Sequence, residues 1–169
     1  MVGSCFKFSI ASSEETLAFL NEFHLQGGTN FESAFKLTFN SLMVAVMTFS
    51  RHHRQNSKSL VLNRFCVRDD YTIIGGTAKL LKNANIKESI VSYSDNRWSE
   101  GDIYQRLNFK LEAQIRPDYF YIGNKGVFSK QSMKKTEEER ILGKSEHELR
   151  LSQGYLRVYD CGKQRWRLN

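Results

Sequence analysis

The chain has 169 residues, of which 40% are hydrophobic, 12% aromatic and 25% charged. This length suits one domain around one hydrophobic core, because domains cluster near about 100–150 residues. The hydrophobic share excludes a disordered chain, and the longest apolar run, residues 42–47, is far shorter than the roughly 20 residues that cross a bilayer. We therefore expect a single domain over residues 1–169, with no membrane partner.

Three cysteines, an odd number without CxxC spacing, predict reduced thiols and neither a disulfide framework nor a metal site. The N-terminus shows no basic segment followed by an apolar run. We therefore expect no secretion signal and a cytoplasmic location.

Basic residues give the chain a net charge of +7 and gather at two places. Residues 51–68 hold five Lys or Arg residues and no acid, and residues 162–169 place three basic residues around Trp166. Such clusters favour a nucleic-acid partner, which we expect to be DNA. A cross-strand pair in a hairpin is an equal explanation for Trp166. The predicted phosphate contacts are Arg51, Arg54, Arg64, Arg165 and Arg167.

The first predicted element is a helix that begins at Ser12 with a capping box closed by Glu15. It ends before Gly27 and Gly28, and His24 lies at its end. A hairpin follows, with strands over residues 34–39 and 42–49 and a turn at residues 40–41.

A strand over residues 60–67 then leads into a glycine pair, Gly75 and Gly76, that opens a helix ending near residues 83–85. A new strand begins at Ser89. Strand, helix and strand in about 35 residues predict a βαβ unit with parallel strands and a right-handed crossover.

The remaining pattern predicts a helix over residues 100–107, strands over 109–115 and 119–122, and a helix over 134–150 that is broken or bent at Gly143. A final hairpin is predicted over residues 155–168, with its turn at Cys161 and Gly162. We expect residues 1–122 to form the core and residues 123–169 to form an extension of a C-terminal helix and a basic hairpin. The fold class is α+β, a mixed sheet with a central parallel strand pair and helices on both faces.

This order of elements resembles the GNAT acyltransferase fold. The segment Gly75-Gly76-Thr77-Ala78 resembles the glycine-rich turn that receives coenzyme A phosphates in that superfamily, where helix N-terminal amides bind the anion. The resemblance implies an acetyl-CoA or other phosphate-containing acyl donor held by Ile74, Gly75, Gly76, Thr77 and Ala78. The family's Arg or Gln before the turn is replaced by Thr72 or Ile73. A tight turn that binds nothing is the alternative.

A second segment, residues 103–110, resembles the superfamily's YxxxGF ending, with Asn108 in place of the glycine. The resemblance implies that Tyr104 protonates the leaving thiolate. The alternative is a core tyrosine with its hydroxyl at the surface.

A further resemblance covers most of the chain, including residues 21–27, 62–66, 92–99 and 154–162. It is to an accessory domain of phage Hef-like homing endonucleases, and more distantly to Mom-type phage DNA modification proteins. In the endonucleases the domain follows a separate nuclease module. The present sequence has no paired HNH histidines and only half of a GIY-YIG motif at residues 121–123. We do not expect it to cut DNA on its own.

Residues 94–99 form the densest polar group, just past a predicted strand. Crevices beyond the carboxyl ends of parallel strands are common ligand sites. Asp95 is a candidate base, as is His24, while Asn96, Arg97, Trp98 and Ser99 are candidates for binding the acceptor or nucleic acid. The alternatives are a capping loop for Asp95 and Ser99, and a helix-dipole contact for His24.

Two functions follow from these patterns. The first is a phage-type transferase that moves an acyl or related group to an amine, most plausibly on a nucleic-acid base, in the host cytoplasm. The second is a non-catalytic DNA-binding module in which the glycine turn has only a structural part. A polar crevice facing a phosphate-type turn favours the first.

Overall fold

Local sequence signals begin most elements of the first half of the chain. The computed structural model describes residues 6–51 and 58–169, so His52, His53 and the predicted DNA contact Arg54 lie outside the described residues. At the first helix, the Ser12 hydroxyl accepts from the Glu15 amide at 3.3 Å and the Glu15 carboxylate accepts from the Ser12 amide at 2.6 Å. The predicted capping box is confirmed.

The helices and strands follow in this order: β1 (Lys7–Ile10), α1 (Ser13–Phe23), β2 (Ser33–Phe39), β3 (Leu42–Arg51), β4 (Leu60–Val67), α2 (Gly76–Ala84), β5 (Ile90–Asp95), α3 (Asp102–Arg106), β6 (Lys110–Ile115), β7 (Tyr119–Gly123), β8 (Gly126–Ser129), α4 (Glu137–Ile141), α5 (Glu146–Ser152), β9 (Leu156–Tyr159) and β10 (Lys163–Leu168).

Seven strands form one sheet in the order β1-β2-β3-β4-β5-β10-β6. The pairs β1–β2, β2–β3 and β3–β4 are antiparallel, whereas β4 and β5 are parallel and joined through α2. The predicted α+β class, the mixed sheet and its central parallel pair are therefore confirmed.

Helices cover both faces of this sheet because its central strands alternate their buried side chains. Val46 of β3 packs with Phe19 and Leu20 of α1 on one face. Met47 of β3 packs with Leu80 of α2 on the other. A central strand buried on both faces reads as a continuous apolar run, as β3 does.

The parallel pair is short. Backbone register joins Leu60 to Ile90 and Val61 to Val91, and the ladder stops there. At the next position the Ser92 hydroxyl donates to the Leu62 carbonyl at 3.0 Å, so a side chain replaces the backbone bond. Beyond this point both strands have backbone groups free of mutual pairing.

The chain divides into two compact units. The first comprises Gly101–Glu112, Arg165–Asn169 and the described residues up to Tyr93, and the second comprises Ser94–Glu100 and Ala113–Gln164. The predicted boundary at residues 122/123 falls inside the second unit, and the single-domain prediction stays a prediction.

The second unit contains a three-stranded antiparallel sheet in the order β8-β7-β9. Arg150, 6% exposed, binds the carboxylate of Glu139 through both terminal nitrogens at 2.7 and 2.8 Å. These hydrogen bonds lower the pKa of Glu139 to about 2. The ion pair joins α4 to α5. These are the two helices into which the segment is divided on either side of Gly143, so the predicted break there is confirmed.

The predicted final hairpin does not form. Strand β9 pairs with β7, whereas β10 lies between β5 and β6 in the seven-stranded sheet. The predicted C-terminal extension is therefore an excursion between β6 and β10, because the chain returns to the main sheet for its last strand. Gly162 has φ 76°, as the predicted turn requires. The turn, however, connects β9 of the three-stranded sheet to β10 of the seven-stranded sheet.

In the ranges that the structure describes, no helix has the length and apolar character needed to span a bilayer.

Candidate functional site

The N-terminus of α2 presents free backbone amides. The Gly76 amide donates to the Ile73 carbonyl at 3.2 Å and the Lys79 amide to the Gly75 carbonyl at 2.9 Å. Between them, the amides of Thr77 and Ala78 have no hydrogen-bond acceptor among the described residues. Two such amides at the positive end of a helix suit an anion such as a phosphate.

The two glycines of this turn have different reasons to be glycine. Gly75 has φ 72°, and a Cβ built there meets nothing within 4 Å. A Cβ at Gly76 would lie 2.6 Å from Ile73 Cγ2. The tight-turn alternative therefore accounts for both glycines, through the left-handed φ at Gly75 and the close packing at Gly76, while the space beside Gly75 is open. Ile74, predicted to contact the donor, is 97% exposed beside them.

A cleft of about 420 Å³ lies along the side of α2, from Ala78 to the residues that follow the helix, and beside the end of α3. Ala78 at the start of α2 and Ile90 at the start of β5 line it, and the exposed cations Lys82 and Arg106 lie along its sides. Sequence reasoning missed both cations. The spacing of Lys82, four residues after Ala78, could have placed it on the same helix face, whereas the position of Arg106 depends on tertiary packing.

Tyr104 lies where β4 and β5 stop pairing. Its hydroxyl is 3.0 Å from the Ser92 hydroxyl and 3.3 Å from the Tyr93 carbonyl. Its ring stacks on Trp166 at 5.4 Å and meets Phe109 edge-on at 5.5 Å. Burial raises the pKa of Tyr104, while the hydrogen bond with Ser92 lowers it. A phenol that keeps its proton at neutral pH is suited to act as a general acid.

The residue that replaces the family's glycine adopts a conformation that glycine favours. Asn108 has φ 62°, in the left-handed region where asparagine is among the tolerated residues. The Phe109 amide then donates to the Tyr104 carbonyl at 2.9 Å, closing α3 under the tyrosine. The substitution of Asn for Gly therefore preserves the local geometry.

The polar group at residues 94–99 is organised as a turn. Asp95 Oδ1 accepts from the Arg97 amide at 2.9 Å, and the Asp95 carbonyl accepts from the Trp98 and Ser99 amides at 3.0 Å each. Asn96 donates through Nδ2 to the Cys161 carbonyl at 3.1 Å. Helix α3 is capped by Gly101 and not by Ser99. Asp95 has one carboxylate oxygen engaged in the turn, and its part as a base stays a prediction.

Arg97 and Trp98 form an exposed pair within this turn. The Arg97 guanidinium lies 6.0 Å from the centroid of the Trp98 ring, which is 62% exposed. This pair retains the features on which the predicted stacking and phosphate contact depend.

His24 caps the C-terminus of α1, where its Nδ1 accepts from the Gln26 amide at 3.1 Å. Burial and the charge of Arg64 lower the pKa of His24, so its imidazole is neutral at physiological pH. Because Nδ1 is the acceptor, the proton lies on Nε2. His24 therefore presents a donor to any ligand at Nε2, and its part as a base stays a prediction.

The predicted DNA contacts with described side chains have partners inside the protein. Arg51 lies 3.3 Å from Glu32 on the surface, and Arg64 donates to the Asn63 carbonyl at 2.9 Å. Arg165 and Arg167 both pair with Glu112, at 2.8 and 2.9 Å. These contacts use only some of the five N–H donors of each guanidinium group. DNA contact through them stays a prediction.

Trp166, which looks exposed in the sequence, is 3% exposed. Side chains alternate along a strand, so Trp166 faces the core while Arg165 and Arg167 face Glu112. The alternative of a cross-strand pair in a hairpin is also wrong, because β9 and β10 do not pair and the ring that stacks on Trp166 is Tyr104 of α3.

Replacing Arg165 and Arg167 together with Gln should lower the free energy of unfolding and should have a smaller effect on the free energy of DNA binding. Glu112 loses both partners, and Ser59 and Ser89 lose the Arg167 bonds at 3.0 and 2.8 Å. We expect a loss of about 1–2 kcal/mol in the free energy of unfolding, measured by urea denaturation. The matched control removes the same charge at exposed Lys110 and Arg116. A double variant of Arg165 and Arg167 that kept full stability but had a weaker salt dependence of DNA binding would support the sequence prediction instead.

Comparison with solved structures identifies the fold. The ribosomal-protein-S18-alanine N-acetyltransferase of Escherichia coli superposes with a TM-score of 0.58 at 12% identity, over 97% of this chain and 93% of that one. A Bacillus subtilis acetyltransferase in complex with CoA gives 0.53 at 9% identity, over 98% and 99%. A GNAT family acetyltransferase from Elizabethkingia anophelis with acetyl-CoA bound gives 0.53 at 11% identity, over 97% of each chain.

No protein-family model and no curated protein matches the sequence. The structural likeness extends over nearly the whole chain, while its low identity establishes the fold and nothing finer. The GNAT resemblance predicted from the sequence is confirmed at that level, and the likeness to phage Hef-like and Mom-type proteins stays a prediction. The chain has the fold of the GNAT N-acetyltransferases.

Proposed function

We propose that the protein is an N-acyltransferase that moves an acyl group from a coenzyme A thioester to an amine. The observation that carries the proposal is the combination, within the first unit, of the free amides of Thr77 and Ala78 with the Tyr104 hydroxyl at the end of the β4–β5 pairing.

The chemistry of the cleft suits the donor. Phosphates need several positive groups, and the free amides at the start of α2 are one such group. Lys82 and Arg106 in the cleft beside α2 are the cations proposed to contact the rest of the donor. Two proteins of the same fold hold CoA or acetyl-CoA, which supports the same class of donor here.

The residues of the chain then have defined parts. The amine nitrogen forms a bond to the thioester carbonyl carbon, the carbon–sulfur bond breaks, and Tyr104 gives its proton to the departing sulfur. The nitrogen releases its extra proton to solvent, from which Tyr104 is protonated again. Because burial raises the pKa of Tyr104, the phenol is in the acid form that this step requires.

For the acceptor, the amino group of a DNA base remains part of the proposal. Its support is the net charge of +7 and the exposed pair of Arg97 and Trp98. The phage origin expected from the sequence belongs to this finer proposal.

The test is calorimetry with acetyl-CoA and with CoA, followed by mass spectrometry of transfer to DNA, to peptide N-termini and to polyamines. We expect binding of both nucleotides and a mass increase of one acyl group on an amine acceptor. Failure of the folded protein to bind either nucleotide would overturn the donor. Transfer to peptides or polyamines but never to DNA would overturn the base acceptor alone.

A further inference from the structure

Two hydroxyl groups meet at the point where β4 and β5 separate. Ser92 lies one position beyond the last paired residue of β5, and its side chain is 2% exposed. Its oxygen is 3.0 Å from the Leu62 carbonyl of β4 and 3.0 Å from the Tyr104 hydroxyl. Ser92 therefore connects both strands and α3 at one level of the sheet.

The direction of these hydrogen bonds is set by the acceptors. The Leu62 carbonyl can only accept, so the Ser92 hydroxyl donates to it. The Ser92 oxygen then accepts the Tyr104 proton, and the Tyr93 carbonyl at 3.3 Å is a second acceptor for the same proton. Stacking on Trp166 holds the phenol ring in this position.

We infer that Ser92 is a positioning residue for Tyr104, holding the phenol before proton transfer and stabilising the phenolate after it. When the Tyr104 proton leaves for the departing sulfur, the Ser92 hydroxyl turns from the Leu62 carbonyl and donates to the phenolate oxygen. No covalent bond of Ser92 changes in this step. Because the serine is buried, water has little room to take over its part. The inference rests on the proposed transferase function.

Removing the hydroxyl should weaken catalysis through Tyr104. We expect Ser92→Ala, and Ser92→Cys with its nearly unchanged volume and weak donor, to lower kcat about tenfold, which is the value of one hydrogen bond. Wild-type activity should fall as pH rises through the pKa of Tyr104. Because Ser92 lowers that pKa, both variants should show the same fall at a higher pH than the wild type. Ser92→Thr, which keeps a hydroxyl, should restore both values.

A double-mutant cycle separates positioning from structure. In a Tyr104→Phe background, Ser92→Ala should have no further effect on kcat, since the group that it positions is gone. An equal loss of kcat in both backgrounds would overturn the inference and assign Ser92 a structural part only.

A second readout needs no activity. The ultraviolet difference titration of the protein against its Tyr104→Phe variant isolates the Tyr104 phenol, and Ser92→Ala should move that titration to higher pH. An unchanged titration would overturn the inference even in an active enzyme. A shifted titration in a protein that transfers no acyl group would support the Ser92–Tyr104 hydrogen bond but would overturn the proposed function.

Discussion

Gly75→Asp should lower the affinity for acetyl-CoA about tenfold more than Gly75→Asn does, because only the aspartate adds a negative charge. Gly75 is the N-cap of α2, so the aspartate places a carboxylate at the helix end that carries the free Thr77 and Ala78 amides, where it repels phosphates. The asparagine oxygen can compete for the same amides, but it carries no charge. Two charges about 4 Å apart near a protein surface interact by about 4 kcal/mol, so screening still leaves a measurable loss. Isothermal titration calorimetry of both variants measures it.

Asparagine is a matched control because it has the shape of aspartate and the same cost of occupying φ 72°. Equal affinities of the two variants would remove the α2 turn from the donor site. Gly76 is not a suitable position for this experiment. A side chain there would strike Ile73 whatever its charge.

Tyr104→Phe should reduce kcat by about 100-fold with little change in KM, since a positioned general acid contributes about 10²–10⁴-fold. The ring keeps its contacts with Trp166 and Phe109, so the variant loses the proton donor and little packing. A steady-state assay of thiol release, with the amine acceptor in excess, measures both constants.

The pH dependence of activity is a second test of Tyr104 as the general acid. The acid form of Tyr104 is the active one, so wild-type activity should fall as pH rises through its raised pKa, and this fall should be absent from Tyr104→Phe. Tyr93→Phe, at a half-exposed neighbouring position of β5, is the control and should retain wild-type kcat. A Tyr104→Phe enzyme with wild-type kcat would leave the thiolate to be protonated by solvent.

The elements whose signals lie close together in the sequence could be predicted. The capping box at Ser12 and the β2–β3 hairpin carry their signals within a few residues, and the β4–α2–β5 crossover follows from the order of its elements. The pairing of β9 and β10 was not predictable in this way. The pairing partner of a short strand depends on the tertiary structure. The turn at Gly162 is compatible both with a β9–β10 hairpin and with strands in different sheets.

The residues of the candidate site also differ in whether the sequence could predict them. Gly75 and Tyr104 belong to local motifs, so the sequence indicated both. Ser92 and Trp166 acquire their contacts from strands far apart in the chain, and an isolated serine or tryptophan carries no signal of its partner. The ion pairs of the β10 arginines could not be predicted, because a run of charges does not indicate a distant partner and Glu112 lies 53 residues before Arg165.

The position of β10 in the sheet has a consequence for how the chain folds. Strands β2, β3 and β4 are joined by short connections and can pair early, because closing short loops costs little entropy. Strand β10 lies between β5 and β6, yet the whole of Ala113–Gln164 is synthesised before Arg165–Asn169. Until β10 arrives, the edges of β5 and β6 that it will join have no partner in this sheet, and Tyr104 has no Trp166 to stack on. The entry of β10 into the sheet therefore also completes the surroundings of the proposed acid, and a chain in which β10 has not yet entered exposes two strand edges prone to aggregation.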